Sequence, residues 1–288
     1  MKISTENMIF REKTDEKTSF ELIAGAGFDC VDYSMFNPAG KSPWWLLADD
    51  YLERAAETKK MLAETGLECG QGHAPFRLTW DGARDESNPD YLGILRALEY
   101  AGIIGCPRVV VHGIGQPRDV DIVKFNQEFY LSLEPYARKA GVKIAVENLF
   151  RHDEFHPYLL RRIDAAELTG ILSGLPEDCF TGCLDVGHAA ICGTEPDEFL
   201  RSIPKGLITC LHVQDNDRTK DLHLLPYISQ VRMDEFLAAL KEYGYNGIFN
   251  LETNHFYKNM PVELLPSALR FAADTARYMA GKLEAADS

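Results

Sequence analysis

The 288-residue sequence has no uninterrupted apolar run of about 18 residues, the length that a bilayer-crossing helix needs. Its most apolar stretch, 102–115, is broken by Pro107 and Arg108, so no membrane span is expected. The opening residues, Met1 to Glu6, carry neither the apolar stretch nor the cleavage site of a secretion signal, which makes a cytoplasmic location the expectation. No CxxC pair occurs among the seven cysteines, which are scattered at 30, 69, 106, 179, 183, 192 and 210. That spacing disfavours a disulfide framework and predicts reduced thiols buried in or beside strands. Nucleotide-binding loops are missing as well, since neither GxGxxG nor GxxxxGK[ST] opens any helical segment. Positive charge is scarce: 30 Lys and Arg against 44 Asp and Glu leave a net charge of −14. Such a balance works against non-specific attraction to nucleic acid or anionic membranes, and neither is expected as a partner.

What is present is a repeat of short apolar strand and amphipathic helix. Hydrophobic residues make up 45% and charged residues 26%, the balance of an ordinary soluble globule whose length suits one large α/β domain. From His73, polar residues that end apolar runs follow at 112, 147, 185, 212 and 252, intervals of 39, 35, 38, 27 and 40 residues. A strand, loop and helix need about that much chain. Helices are expected over 17–26, 51–64, 91–104, 122–140, 164–172, 196–202, 233–243 and 261–283. Gly27, Gly66, Gly105, Gly141 and Gly244 stand where a left-handed cap is wanted, and Asp90 and Asp164 are candidate N-caps. With strands near 2–4 and 29–33, the pattern gives eight strands and eight helices. It predicts a single (β/α)8 TIM barrel spanning 1–288, undivided by any linker.

In such a barrel Glu147, Asp185, His212 and Glu252, each closing an apolar run, arrive at one rim. Three carboxylates and one imidazole form a hard, oxygen-rich site for a divalent metal. Manganese is the first expectation, with cobalt, zinc, iron or magnesium as alternatives. A lone histidine is usually structural and a strand-end glutamate usually solvated. Here, however, all eight histidines (73, 112, 152, 156, 188, 212, 223 and 255) fall at predicted strand ends or in the loops just after them.

The segments Val146-Glu147-Asn148, Leu184-Asp185-Val186-Gly187-His188, Leu211-His212-Val213-Gln214-Asp215-Asn216 and Asn250-Leu251-Glu252-Thr253 together resemble the xylose isomerase-like TIM barrel superfamily. That group joins sugar and sugar-phosphate isomerases and epimerases with endonuclease IV. The resemblance to its ketose 3-epimerases implies that Glu147, Asp185, His212 and Glu252 bind one divalent ion and that Glu147 and Glu252 form the acid/base pair. It also implies that His188 and Arg218 hold substrate oxygens. Where those epimerases carry a further substrate-contacting glutamate, this chain has Asp153 with Glu154 beside it, so the substrate or the reaction differs. The implied activity is isomerisation or epimerisation of a sugar or sugar phosphate, by proton transfer through a metal-stabilised enediolate. The implied partner is a small carbohydrate, and a homo-oligomer is compatible with this reading.

A second resemblance competes with the first. Endonuclease IV binds three zinc ions through nine side chains, and residues fitting all nine occur here: His73, His112, Glu147, Asp185, His188, His212, Asp221, His223 and Glu252. That set implies additional metals held by His73, His112, His188, Asp221 and His223, and a zinc phosphodiesterase acting on abasic DNA. The loop from Asp215 through Arg218 to Pro226 looks closer to the isomerase-like members, so one principal metal is expected. A non-catalytic sugar-binding barrel would explain the fold but not two well-placed glutamates. Residues 35–38, the Trp44-Trp45 pair and Trp80 are candidates to cover a sugar.

Overall fold

The computed structural model describes residues 1–36, 44–76, 82, 84–115, 120–150 and 163–285. The chain starts with β1 (Ile3–Glu6), α1 (Met8–Lys13) and α2 (Glu16–Ala26), then β2 (Cys30–Ser34) and α3 (Tyr51–Thr65). Next come β3 (Glu68–His73) with α4 (Pro89–Ile104), β4 (Arg108–Val111) with α5 (Ile122–Ala140), and β5 (Lys143–Glu147) with α6 (Ala165–Ser173). Two helices, α7 (Val186–Ile191) and α8 (Pro196–Ser202), follow β6 (Phe180–Asp185), and α9 (Met233–Tyr243) follows β7 (Ile208–His212). The last unit is β8 (Phe249–Leu251), α10 (Asn254–Tyr257) and α11 (Leu265–Glu284).

The strands form one parallel sheet in the order β7-β6-β5-β4-β3-β2-β1-β8. Its ends meet through a single bridge, Val213 to Leu251: Val213 N donates to Asn250 O at 3.0 Å and Glu252 N donates to Val213 O at 3.1 Å. The fold is therefore the expected (β/α)8 TIM barrel. Inside the ring, beneath the mouth, Val110, Ala145, Cys183 and Cys210 form a small apolar plug. The larger core lies between the strands and the surrounding helices. All seven cysteines are free, and all but Cys192 are buried.

Local chemistry sets the boundaries. The five expected glycine caps all take φ between 71° and 99°, a region L side chains rarely adopt, and each closes its helix with its own N–H. Asp164 closes a full capping box with Glu167. Asp90 is not a cap: the side chain of Asn88 accepts from the N–H groups of Asp90 and Tyr91. Proline at the first helical position has no N–H to satisfy, so the capping oxygen comes from the residue before it. Among the described residues there are eleven α-helices rather than eight, because α1, α7 and α10 span only six, six and four residues. Such lengths show no helical period. The last helix starts at Leu265, with a 3-10 turn over Val262–Leu264 before it. No helix among the described residues is long and apolar enough to cross a membrane.

Candidate active site

Glu147, Asp185 and His212 are the last residues of β5, β6 and β7, and Glu252 directly follows β8. Asp185 and His212 are in register on neighbouring strands. All four are buried, none more than 5% exposed. Nδ1 of His212 lies 2.8 Å from Glu147 Oε1 and 3.3 Å from Glu252 Oε2. One ligand atom from each of Glu147, Asp185, His212 and Glu252 falls within 4.8 Å of every other.

The other five residues of the nine-residue set join the same cluster. On one side, His112 Nε2 is 2.7 Å and His73 Nε2 3.5 Å from Glu147 Oε2, and the two ring nitrogens are 3.1 Å apart. On the other, Asp221 Oδ2 lies 2.8 Å from His223 Nε2 and 3.5 Å from His188 Nε2. His223 Nδ1 reaches Glu252 Oε2 at 3.6 Å, and His188 Nδ1 reaches Glu147 Oε1 at 3.6 Å. Arg218, by contrast, has its guanidinium on Glu195 and on the carbonyl of Gln230. Asp153, Glu154, His152, His156 and Trp80 lie outside the described residues, as do 37 and 38. The expectation that Trp44 and Trp45 cover a sugar is corrected. The Trp44 indole fills the space over Gly93, where a Cβ would come within 2.3 Å of it, and Trp45 stacks edge-on against Tyr100. Both tryptophans therefore pack on α4.

Supporting polar residues fix the histidine rings. Asp32 Oδ2 stands 3.3 Å behind His212 Nε2 and accepts from Gln71 Nε2 and Asn250 Nδ2, each at 2.8 Å. His73 Nδ1 meets the Ala74 carbonyl at 2.8 Å, His188 Nδ1 the Asn148 carbonyl at 2.9 Å, and His223 Nδ1 the Glu252 carbonyl at 3.2 Å. Each of these four rings thus turns one nitrogen to an oxygen acceptor and the other into the cluster, the arrangement that orients a metal-binding imidazole. Asn148 and Asp185 are tied reciprocally through side chain and backbone at 2.7 and 2.9 Å. Asp215, fully buried, accepts from the N–H groups of Asn216, Ser229 and Val231 and so anchors the loop that carries Asp221 and His223. In that loop Arg218, His223 and Tyr227 take positive φ, a cost that non-glycine residues bear mainly at functional sites.

Burial and neighbouring charge oppose each other across the site. Burial pushes Glu252 up to about 8, helped by Asp185 and Glu147 and opposed by His212 and His223. Burial also acts upward on Glu147, but the charges of His212 and His112 outweigh it and hold this carboxyl well below its ordinary range. Burial lowers His212, His188 and His223, yet the surrounding acids raise all three, His223 to about 10. The cluster therefore has a strong affinity for positive charge. Three buried carboxylates this close are costly without a cation, and oxygen donors with one imidazole are the set a divalent ion takes. The residues present fit such an ion.

Comparison with known proteins agrees with the fold. A protein of Sinorhizobium fredii, y4fM, is 26% identical over 264 residues, covering 82% of this chain and 80% of its own. The structure of a D-tagatose 3-epimerase-like protein superposes with a TM-score of 0.73 at 22% identity, covering 99% of this chain and 97% of that one. An IOLI protein whose structure holds a zinc atom gives a TM-score of 0.72 at 20% identity, covering 98% of both chains. The family model described as xylose isomerase-like TIM barrel matches residues 20–275, nearly the whole barrel, and the chain belongs to that family.

Proposed function

We propose that this chain is a divalent-cation-dependent isomerase or epimerase of a small carbohydrate, acting as one barrel domain in the cytoplasm. The observation that carries the reading is the pair Glu147 and Glu252. They meet at the same His212 nitrogen, at 2.8 and 3.3 Å, at the barrel mouth. Two carboxyls so placed are suited to take a proton from a carbon and to return one to it. Glu147 and Glu252 would form the acid/base pair, one taking a proton from the carbon beside the substrate carbonyl and its partner returning one on the other face. A divalent ion held by Glu147, Asp185, His212 and Glu252, with manganese first among the candidates, would polarise the carbonyl and hydroxyl oxygens of the substrate. His188 is assigned to substrate oxygens. Arg218 joins it once its guanidinium leaves Glu195, and Asp153 is proposed as a further contact. The likeness to the D-tagatose 3-epimerase-like protein supports the substrate class.

The test is turnover of free ketoses, aldoses and their phosphates in deuterium oxide with manganese supplied. One solvent deuterium should enter the exchanging carbon. Glu252→Gln should lose turnover by at least about 100-fold while still binding metal. Product formed without deuterium would point to hydride transfer and sink the reading. The convergence of His73, His112, His188, Asp221 and His223 on the same cluster favours a second reading, a three-zinc phosphodiesterase. We expect one principal ion and no incision of abasic duplex DNA with zinc; three bound zinc ions with efficient incision would replace the sugar reading.

A further inference from the structure

Glu6, the last residue of β1, belongs to none of the groups described above. Ser4 pairs with Asn250 on β8, Thr5 pairs with Leu251, and Glu6 itself pairs with Asp32 on β2. Glu6 is one residue past the Thr5–Leu251 pair on β1, as Glu252 is on β8. Asn250 and Asp32 meet in the barrel interior, so Glu6, in register with Asp32, faces inward too. The side chain is 2% exposed. Oε1 accepts from the Ser34 hydroxyl and from the N–H of Met8, whereas Oε2 is buried without a hydrogen-bond partner.

This unmet oxygen has company. Asn7 Nδ2 and Asn254 Oδ1 are also buried without hydrogen-bond partners, while the Thr253 and Tyr257 hydroxyls face each other. The two segments touch, since the rings of Phe10 and Tyr257 are 4.8 Å apart and the Tyr257 hydroxyl feels the charge of Glu6. Most buried polar groups in folded proteins are paired, so several unmet donors and acceptors beside a barrel mouth point to a polar ligand. Its sign is constrained. Arg11 is the cation whose charge reaches Glu6, and its guanidinium is already bound to the Tyr33 hydroxyl and the Ser34 carbonyl. Asp32 adds negative charge on the neighbouring strand. A phosphate would meet acids here, whereas a hydroxyl can donate to Glu6 or accept from it.

We propose that Glu6 is a specificity-determining residue that hydrogen-bonds a hydroxyl on the part of the carbohydrate remote from its reacting carbon, so that the substrate is an unphosphorylated sugar. This rests on the functional reading above, which places the reacting carbon between Glu147 and Glu252. Glu6 then meets the next portion of the same molecule.

The experiment compares the metal-loaded wild type with Glu6→Gln and Glu6→Leu in two ways. Binding of xylitol and D-fructose is measured by calorimetry, and turnover is measured on free ketoses, on their phosphates and on ketoses lacking one hydroxyl. Loss of a hydroxyl–carboxylate bond in a buried site should weaken binding and kcat/KM by about 10- to 100-fold in Glu6→Leu, and by less in Glu6→Gln. For one deoxy-ketose, the loss seen with wild type should vanish in Glu6→Leu. Should Glu6→Leu fail to fold, Glu6→Gln carries the test, with a deoxy-ketose loss smaller than that of the wild type. Sugar binding and turnover that stay at wild-type levels while only the melting temperature moves would mean that these atoms hold buried water, and would overturn the proposal. So would a phosphate ester used better than its free sugar. Glu6-dependent binding of xylitol without turnover of any sugar by wild type would uphold the hydroxyl subsite while removing the isomerase reading.

Discussion

Replacing Asp32 by Asn tests whether the charge behind His212 tunes the site. The carboxylate lies 3.3 Å from His212 Nε2, an electrostatic contact rather than a full hydrogen bond, while Gln71 and Asn250 hold the same oxygen at 2.8 Å. An asparagine oxygen can keep both amide donors, so the substitution removes charge and little else. Hydrogen bonds to charged groups are worth roughly 1 kcal/mol more than neutral ones, and outer partners of metal-binding histidines typically set about 10- to 100-fold in affinity. The angled contact places the expected loss at the low end, about 10-fold in the dissociation constant for manganese or zinc. Competition against a fluorescent chelator at pH 7.5 measures it directly. Without metal, Asp32→Asn should melt as the wild type does or slightly higher, because one acid leaves a crowded acidic cluster. An affinity within about threefold of wild type, in a variant that folds normally, would refute the reasoning.

Three further outcomes are expected. Gly187→Ala would bring a Cβ to 2.4 Å from Gln214 Cδ and 2.7 Å from Asn216 Nδ2, so thermal melting should report a loss of about 1–3 kcal/mol together with weaker metal binding. Burial raises Glu6 to about 7 from 4.5, so the folded state favours its protonated form and the wild type loses stability as pH rises through that interval. Glu6→Gln should therefore gain on wild type between pH 4.5 and 7, by up to about 3 kcal/mol in urea titrations, and parallel curves would contradict the shift. Metal at 100 times its dissociation constant should stabilise the chain by about 2.7 kcal/mol over chelator-treated protein in calorimetry, and an unchanged melting temperature would argue against a native ion site.

The barrel and its rim were readable because each βα unit repeats one pattern, an apolar run ended by a polar residue, and Glu147, Asp185, His212 and Glu252 all obey it. Asp32 breaks the pattern. It sits inside β2 rather than at its end, and in a strand covered on both faces an inward acid looks like an interruption, not a site residue. Glu6 was hidden by the shortness of β1. The tryptophans misled for a different reason: nothing in the residues near Trp44 indicates that Gly93, far along the chain, leaves a slot for an indole. α7 and α10 are too short to carry a helical period, though α7 directly follows Asp185 and α10 starts two residues after Glu252. The hold of Glu195 on Arg218 joins loops whose proximity only the closed barrel creates.

The ring of strands has one thin seam. Between β7 and β8 a single bridge and two backbone hydrogen bonds complete the circle, and His212 and Glu252 flank it. An ion held by both residues would act as a rivet across that join, so the chemistry and the mechanical closure of the barrel would share one part. Amide exchange at Val213 and Glu252 would then be a gauge of occupancy: slow while the rivet is in, faster once a chelator draws it out.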